Sequence, residues 1–465
     1  MSSSSHNISS AEAPGTSITV FVDIPDPDNI HMIIYLLRYY NGPISIVLSP
    51  RAVDLRAPRY GSKFAALSKA CDGDISKLCY SIRTEEELSK RLSKVSPAYE
   101  EWFYIDEDCN TTSVREDSEL YMDVSTQHVM YVLDQQGFPR DAYQIYWDET
   151  SLKIDEIATT QRFRLGTPAM RHAFHVHDFK YYFDESEKKQ YQQITADAPR
   201  RRLSDTLRDG LRGLLQRHRA RMHEELGSPE STFRPLTDFL KSATNNGAEH
   251  EFVIGGPFTE VLSVLKHEII PTKVTAMVGS LEKGINVFPN QFNLHADLDS
   301  GTQVLRYLQK FSIRTDIIPT DSVKQPDIVC TGDKLKEGFR SNLFRGMVHE
   351  YLKDTGGKKD WYNFDGLTAI AHCSPELFDW TPAASEWWDS EKDKQLKDRT
   401  DALLGTGDKD LKDKYIFRPN GMRMGKAKEL PRNEKFNIWN MMESCVWEDG
   451  KGLPNYPMER LTLNE

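Results

Sequence analysis

ITVFVDIPDPDNIHMIIYLL, Ile18 to Leu37, is the stretch whose reading decides how the rest of the chain is interpreted. Ile18 to Val22 is a short apolar run dominated by β-branched and aromatic residues, the signature of a buried strand. Ile30, Ile33, Ile34 and Leu37 follow at the i, i+3, i+4, i+7 spacing of one helix face. The loop between them carries Asp23, Asp26 and Asp28. In an open α/β sheet, ligands bind in the crevice beyond the carboxyl ends of the strands. Carboxylates crowded there repel one another unless a cation neutralises them or a polyol hydrogen-bonds them. The same residues also admit a plainer reading, a solvated acidic turn that caps the next helix, because Asp is common at helix N-caps.

The strand and helix rhythm returns much later in the chain. It is carried by FVIGGPFTEVLSVL (Phe252 to Leu265), KVTAMVGSLEKG (Lys273 to Gly284), NQFNLHADLDSGTQVL (Asn290 to Leu305) and IRTDIIPTDSV (Ile313 to Val323). Together with the acidic first loop, these segments resemble the inosine-uridine-preferring nucleoside hydrolases. That family has an Asp-rich D-x-D-P-G-x-D-D loop after its first strand, a G-P-L-T-N turn, an M-G-G strand end, an E-F-N-x-x-x-D-P-E-A-A segment and a late H-D at a helix start. The counterparts in this chain are Asp23 to Asn29, Gly256-Pro257-Phe258-Thr259-Glu260, Met277-Val278-Gly279-Ser280, Gln291-Phe292-Asn293 with Asp297, and Phe364-Asp365. The resemblance covers residues 17–50 and 250–380, in the family's order.

What the resemblance implies is a divergent N-glycosidic bond hydrolase acting on a nucleoside or a modified nucleoside. Asp23 and Asp26 would supply the catalytic base, Asn29, Gln291 and Asn293 the sugar contacts, and Asp23, Asp26, Asp28 and Asp365 the ligands of a Ca²⁺ ion. The departures bear on chemistry. The first loop is one residue shorter than the family's, lacks its glycine and ends Asp28-Asn29, so that one metal carboxylate is a neutral amide and calcium affinity is expected to fall. The family's sugar-binding glutamate reads as Gln291, and its leaving-group histidine reads as Phe364, which cannot donate a proton. His31, His295 or the inserted region would have to supply that proton. General acid catalysis is worth about a hundred- to ten-thousand-fold, so its loss slows such an enzyme without abolishing the reaction.

Length and composition set the frame around this core. With 465 residues and 38% hydrophobic content the chain can bury a large core, and the expected architecture is a doubly wound, mostly parallel α/β sheet with a large mixed insertion and a C-terminal extension. The expected organisation is a disordered Ser-rich segment at 1–16, the α/β domain at 17–390 with its insertion at about 51–250, and a charged extension at 391–465 that packs on the domain. A net charge of −11 argues against wholesale coating of nucleic acid. No run approaches the roughly 18 apolar residues of a membrane span, and the first residues hold no hydrophobic segment of signal-peptide type. Cys71, Cys79, Cys109, Cys330, Cys373 and Cys445 show no CxxC spacing, which fits reduced thiols and a cytoplasmic location.

Further elements follow from periodicity. Ile44 to Leu48, Ala142 to Trp147, Val274 to Val278 and Ile313 to Ile318 read as strands. Glu85 to Ser96, Ser125 to Gln136, Asp299 to Gln309, Lys334 to Leu352 and Asp365 to His372 read as helices. The Lys/Asp-rich tail after Trp388 reads as a helix followed by irregular cover. Two motifs in the insertion stand apart. His172, His175, His177 and Asp178 place three imidazoles and a carboxylate within seven residues, and on a strand His175 and His177 would share a face, either solvent- or cleft-facing or, less in keeping with zinc spacing, part of a metal site. RRRLSDTLRDGLRGLLQRHRARM, Arg200 to Met222, sets Leu203, Leu207, Leu211, Leu214 and Met222 against a face of eight arginines. Such a face is ordinarily solvated or paired with acidic surface of the same fold. Its alternative is a phosphate or RNA footprint, and with it a second function: a non-hydrolytic protein binding a nucleotide or an RNA 3′ end. The expected partners are thus a small-molecule nucleoside and, under the alternative, RNA, with no membrane; a homo-oligomer is left open.

Overall fold

The computed structural model describes residues 16–23, 26–49, 111–147, 183–196, 205–226, 233–246, 249–279, 293, 298–325, 328–331, 341–354, 360–383 and 422–428. Strands β1 (Ser17–Val22), β2 (Ile44–Leu48), β3 (Tyr143–Trp147), β4 (Phe233–Pro235), β5 (His250–Ile254), β6 (Lys273–Met277), β7 (Arg314–Ile318), β10 (Phe378–Ala383) and β11 (Met422–Ala427) form one sheet in the order β10-β11-β7-β6-β5-β1-β2-β3-β4. A separate two-stranded ladder joins β8 (Cys330–Thr331) to β9 (Asp360–Trp361). Every pairing in the large sheet is parallel except that of β10 with β11. The fold is therefore a mostly parallel α/β sheet.

Strand order places the reversal. From β1 the chain steps outward through β2, β3 and β4, then returns to the other flank of β1 with β5 and steps the opposite way through β6 and β7. The gap between the ends of β1 and β5 is thus a topological switch point, where connecting segments diverge and leave a crevice. Strand β1 is buried along its length after Ser17, as a central parallel strand covered on both faces must be. Ile18, Val20 and Val22 belong to the core shared with Ile30, Ile33 and Ile34, while Phe21 meets Phe252 edge-on at 5.1 Å.

The helix expected from Ile30 runs over Pro27–Tyr39, with Asp26 at its N-cap position and Pro27 in its first turn. It packs against the helix Phe364–Cys373, which lies over β5, β6 and β7. The expected strands at 44–48, 142–147, 274–278 and 313–318 are present within one residue at either end. The helix read from Ser125 starts earlier, at Thr111. Its first turns, TTSVREDS, carry no apolar stripe, so periodicity alone gives no sign of them. The helix read as Lys334 to Leu352 is seen as Asn342–Asp354, two residues longer at its C-terminal end, and Ser341 caps its start, its Oγ accepting the Phe344 N–H at 3.0 Å. Glu85 to Ser96 and the histidine cluster at His172 to His177 lie outside the described residues. In the tail, Met422–Ala427 is a strand of the main sheet where irregular cover was expected. Met422 and Met424 face inward in alternation, a period too short to stand out in a charged tail.

Candidate functional site

Asp23 is the first residue beyond β1, and Gly255 and Gly256 are the first beyond β5. The two chain ends are tied together, because the amides of Gly255 and Gly256 both donate to the Phe21 carbonyl, at 2.9 and 3.0 Å. Asp23, Asp28, Asn29, Asn293 and Asp365 are each buried, and the hydrogen bonds bring them to this one end of the sheet. Asn29 Nδ2 donates to Asp23 Oδ1 at 2.6 Å and to the Asp23 carbonyl at 3.3 Å. Asn293 Nδ2 donates to the Gly255 carbonyl at 2.7 Å, with Met277 Sδ, at the end of β6, 4.0 Å away. The backbone N–H of Asp365 approaches Asp28 Oδ2 at 3.5 Å, at the outer limit of a hydrogen bond.

Gly255 makes this convergence possible. A Cβ there would stand 2.8 Å from the carboxylate of Asp365 and 2.6 Å from Met32 Cε. The second backbone device is the N-terminus of the helix Phe364–Cys373. Asn363 caps it, Oδ1 accepting the Gly366 N–H at 3.1 Å, and this presents Asp365 in the first turn. Asn363 Nδ2 meets His31 Nδ1 at 3.0 Å.

Burial raises the Asp28 carboxyl above its ordinary range, against the opposing hydrogen bond from Asp26 and those from the backbone N–H groups of Asp365, Asp28 and Phe364. Gathering carboxylates in a buried crevice is unfavourable unless a proton or a cation is shared among them. The donor chemistry suits a hard cation. Asn29 Oδ1, buried and without a hydrogen-bond partner among the described residues, is an amide oxygen of the kind that Ca²⁺ accepts beside carboxylates. As they stand, no three His, Cys, Asp or Glu side chains among the described residues form a metal-holding group.

Asp26, half-buried at the helix N-cap, lies in the same loop, and Gln291 and His295 lie outside the described residues. Phe364 stacks on Tyr362 with ring centroids 5.8 Å apart. His31, one of the residues read as a source for the leaving-group proton, is fully buried beside Phe344 and Trp361 and turned toward Asn363. Gly255, Asn363 and Gly366 escaped the sequence reading. For Asn363 the signal was legible as an amide three residues before Gly366 at a helix start. The role of Gly255 depends on Asp365, more than a hundred residues away in sequence, and left no local trace.

The basic segment forms the helix Asp205–Leu226, with Leu211, Leu214, Leu215 and Met222 buried. Two of its arginines meet the fold's own acidic residues, and a third meets an amide. Arg221 pairs with Glu187 at 3.0 Å and Glu225 at 2.7 Å, Arg219 with Asp123 at 3.3 Å, and Arg217 donates to Gln190 at 2.7 Å. No helix among the described residues is long and apolar enough to cross a membrane.

No family model matches the chain, and no curated protein matches it. Solved structures similar to it include an inosine-uridine-preferring nucleoside hydrolase from Bacillus anthracis (10% identity, 92% of this chain and 98% of that one, TM-score 0.44). A purine-preferring ribonucleoside hydrolase from Gardnerella vaginalis aligns at 12% identity over 92% of this chain and 98% of that one, TM-score 0.41. A type III effector protein complexed with adenosine diphosphate ribose aligns at 11% identity over 87% and 94%, TM-score 0.39. Likeness at this level establishes neither membership of a family nor an activity.

Proposed function

We propose that the crevice at the β1/β5 switch point binds the ribosyl group of a nucleoside or modified nucleoside, and that the protein is a divergent N-glycosidic bond hydrolase. The observation that supports this reading is the gathering of Asp23, Asp28, Asn29, Asn293 and Asp365 at one end of the sheet through the Asn29–Asp23, Asp365–Asp28 and Asn293–Gly255 contacts. Amides and carboxylates together can donate to and accept from vicinal hydroxyls, and the carboxylates stabilise the positive charge that develops on the sugar as the glycosidic bond breaks. Asp23 or Asp26 acts as base toward the attacking water, and Asn29 and Asn293 orient the sugar. Ca²⁺ would be held by Asp23, Asp26, Asp28 and Asp365 with Asn29 Oδ1, and when bound it supplies charge neutralisation and a more acidic water. Phe364 contributes no proton, so turnover is expected about a hundred- to ten-thousand-fold below that of an enzyme with a general acid.

The direct test is release of free base from inosine, uridine or adenosine by the pure protein with and without Ca²⁺, alongside thermal melts in chelator. Slow base release that Asp23→Asn abolishes, and a melting temperature raised by Ca²⁺, are expected. No release from any nucleoside together with no effect of chelator on melting would end the hydrolase reading.

A further inference from the structure

We infer that His31 is the positioning residue of this crevice: by accepting the Asn363 amide it fixes the start of the helix Phe364–Cys373, and with it the placement of Asp365 against Asp28. The inference rests on the reading of the crevice as a ligand site given above, but its geometry stands apart from any particular substrate.

The protonation pattern follows from the hydrogen bonds. Asn363 Oδ1 is committed to the Gly366 N–H, which settles the orientation of the amide and leaves Nδ2 pointing at His31. Nδ2 can only donate, so His31 Nδ1 is the acceptor and the ring of a neutral His31 carries its hydrogen on Nε2. Phe344, at 5.6 Å, and Trp361, edge-on at 6.3 Å, hold the ring in place. His31 also lies one helical turn after Asp28, so one face of the helix Pro27–Tyr39 presents both the imidazole that receives Asn363 and the carboxylate that receives the Asp365 N–H. The approach is close: a Cβ on Gly366 would fall on His31 Nδ1 and on the Asn363 amide. Two contacts one turn apart set both the height and the rotation of the second helix on the first. A leucine of similar bulk could fill the space but could not receive the amide, and Asn363 Nδ2 would lose its imidazole acceptor.

Three variants test this. His31→Asn places an amide oxygen where Nδ1 stands, His31→Leu removes the acceptor, and Asn363→Ser keeps a capping oxygen for Gly366 but removes the donor to His31. Hydrogen exchange followed by mass spectrometry on peptides spanning residues 362–370 reads the helix start directly, and calorimetric titration with Ca²⁺ alone reads the crevice. His31→Leu and Asn363→Ser should exchange about tenfold or more faster in that peptide than wild type, with other core peptides unchanged, and should bind Ca²⁺ about tenfold or more weakly. His31→Asn should restore both. Equal loss of protection throughout the core, or unchanged local exchange in Asn363→Ser, would overturn the inference and leave His31 as packing alone. If wild type binds no Ca²⁺ while local exchange follows the pattern described, the ligand reading fails and the positioning role stands.

Discussion

Asn29 joins two requirements in a single side chain. Its Nδ2 holds Asp23 Oδ1 at 2.6 Å, while its buried Oδ1 has no hydrogen-bond partner among the described residues. Asn29→Asp would exchange the amide donor for a second carboxylate at the same distance, removing a hydrogen bond to a charged group and adding repulsion. In chelator the variant should lose about 1.5–3 kcal/mol of stability, read from denaturant melts. With millimolar Ca²⁺ the order should reverse, because an added carboxylate strengthens a calcium site and binding to the native state raises stability with ligand concentration. A variant whose stability is unaffected by Ca²⁺ would remove Asn29 from any cation site. Gly255 gives the second residue-scale expectation. Gly255→Ala forces Asp365 or Met32 to move and should cost about 1–3 kcal/mol by overpacking. Asp23, Asp28 and Asp365 could be picked from the sequence because carboxylates at a strand end or a helix start announce themselves. Gly255 and His31 act through partners distant in the chain, which no local pattern encodes.

The helix Asp205–Leu226 shows the same division one level up. Its leucine spacing and arginine content were legible, whereas Asp123 and Glu187, which pair with Arg219 and Arg221, sit on other elements. Beneath the arginines runs a buried chain: Glu187 Oε2 meets His218 Nδ1 at 3.0 Å, and His218 Nε2 meets His128 Nε2 at 2.7 Å. Asp184 and Glu187 form a reciprocal cap at the start of the helix Glu185–Ala196, each carboxylate taking the other's backbone N–H, at 2.8 and 2.9 Å. Burial would raise the Glu187 carboxyl, but the His218 and Arg221 hydrogen bonds outweigh it and hold the group at about 2. Burial, with His218 and Arg221 nearby, keeps His128 well below its ordinary 6.5. Both shifts act in one direction. Below about pH 6.5 the unfolded chain takes up a proton that native His128 refuses, and stability falls by up to about 1.4 kcal/mol per pH unit from this group. Below 4.5 and down to about 2 the unfolded chain also protonates Glu187, and a second loss is added. Calorimetric melts between pH 8 and 2 should therefore fall in two stages. His128→Gln, which keeps a donor toward His218, should remove the upper stage; an identical slope in wild type and variant between pH 6.5 and 5 would refute the assignment. Arg221→Ala leaves Glu187 buried without its guanidinium and should cost about 3 kcal/mol at pH 7.

At the scale of the molecule, the switch point follows from connectivity. A strand, an acidic loop and a helix near residue 18, followed by a second strand and helix series after residue 250, suffice to suggest a doubly wound sheet, and the pairing of β1 with both β2 and β5 bears that out. What the sequence left unread is how the sheet ends. Strand β11 lies between β7 and β10 and supplies both with a neighbour, so residues from the charged tail complete the sheet. The junction is held electrostatically as well. Asp316 on β7 is fully buried and receives Arg423 at 2.5 and 2.9 Å, while the same guanidinium lies 4.1 Å over the Trp380 ring on β10. One side chain thus bridges three strands, with a bidentate pair on one side and a cation–π contact on the other. Arg423→Ala would strip the fork from a buried carboxylate and should cost about 3–5 kcal/mol. Arg423→Lys should recover only part of this, since a single ammonium cannot reproduce the paired geometry. Deleting residues 422–465 goes further: it exposes the edge of β7, leaves Asp316 without Arg423, and takes from β10 its partner strand. The shortened chain is expected to be recovered unfolded or aggregated, as an exposed parallel edge beside a buried charge would dictate. Recovery of that chain as a soluble protein with the near-ultraviolet circular dichroism and melting temperature of the full chain would show that β11 is an accessory to the sheet and not one of its structural members.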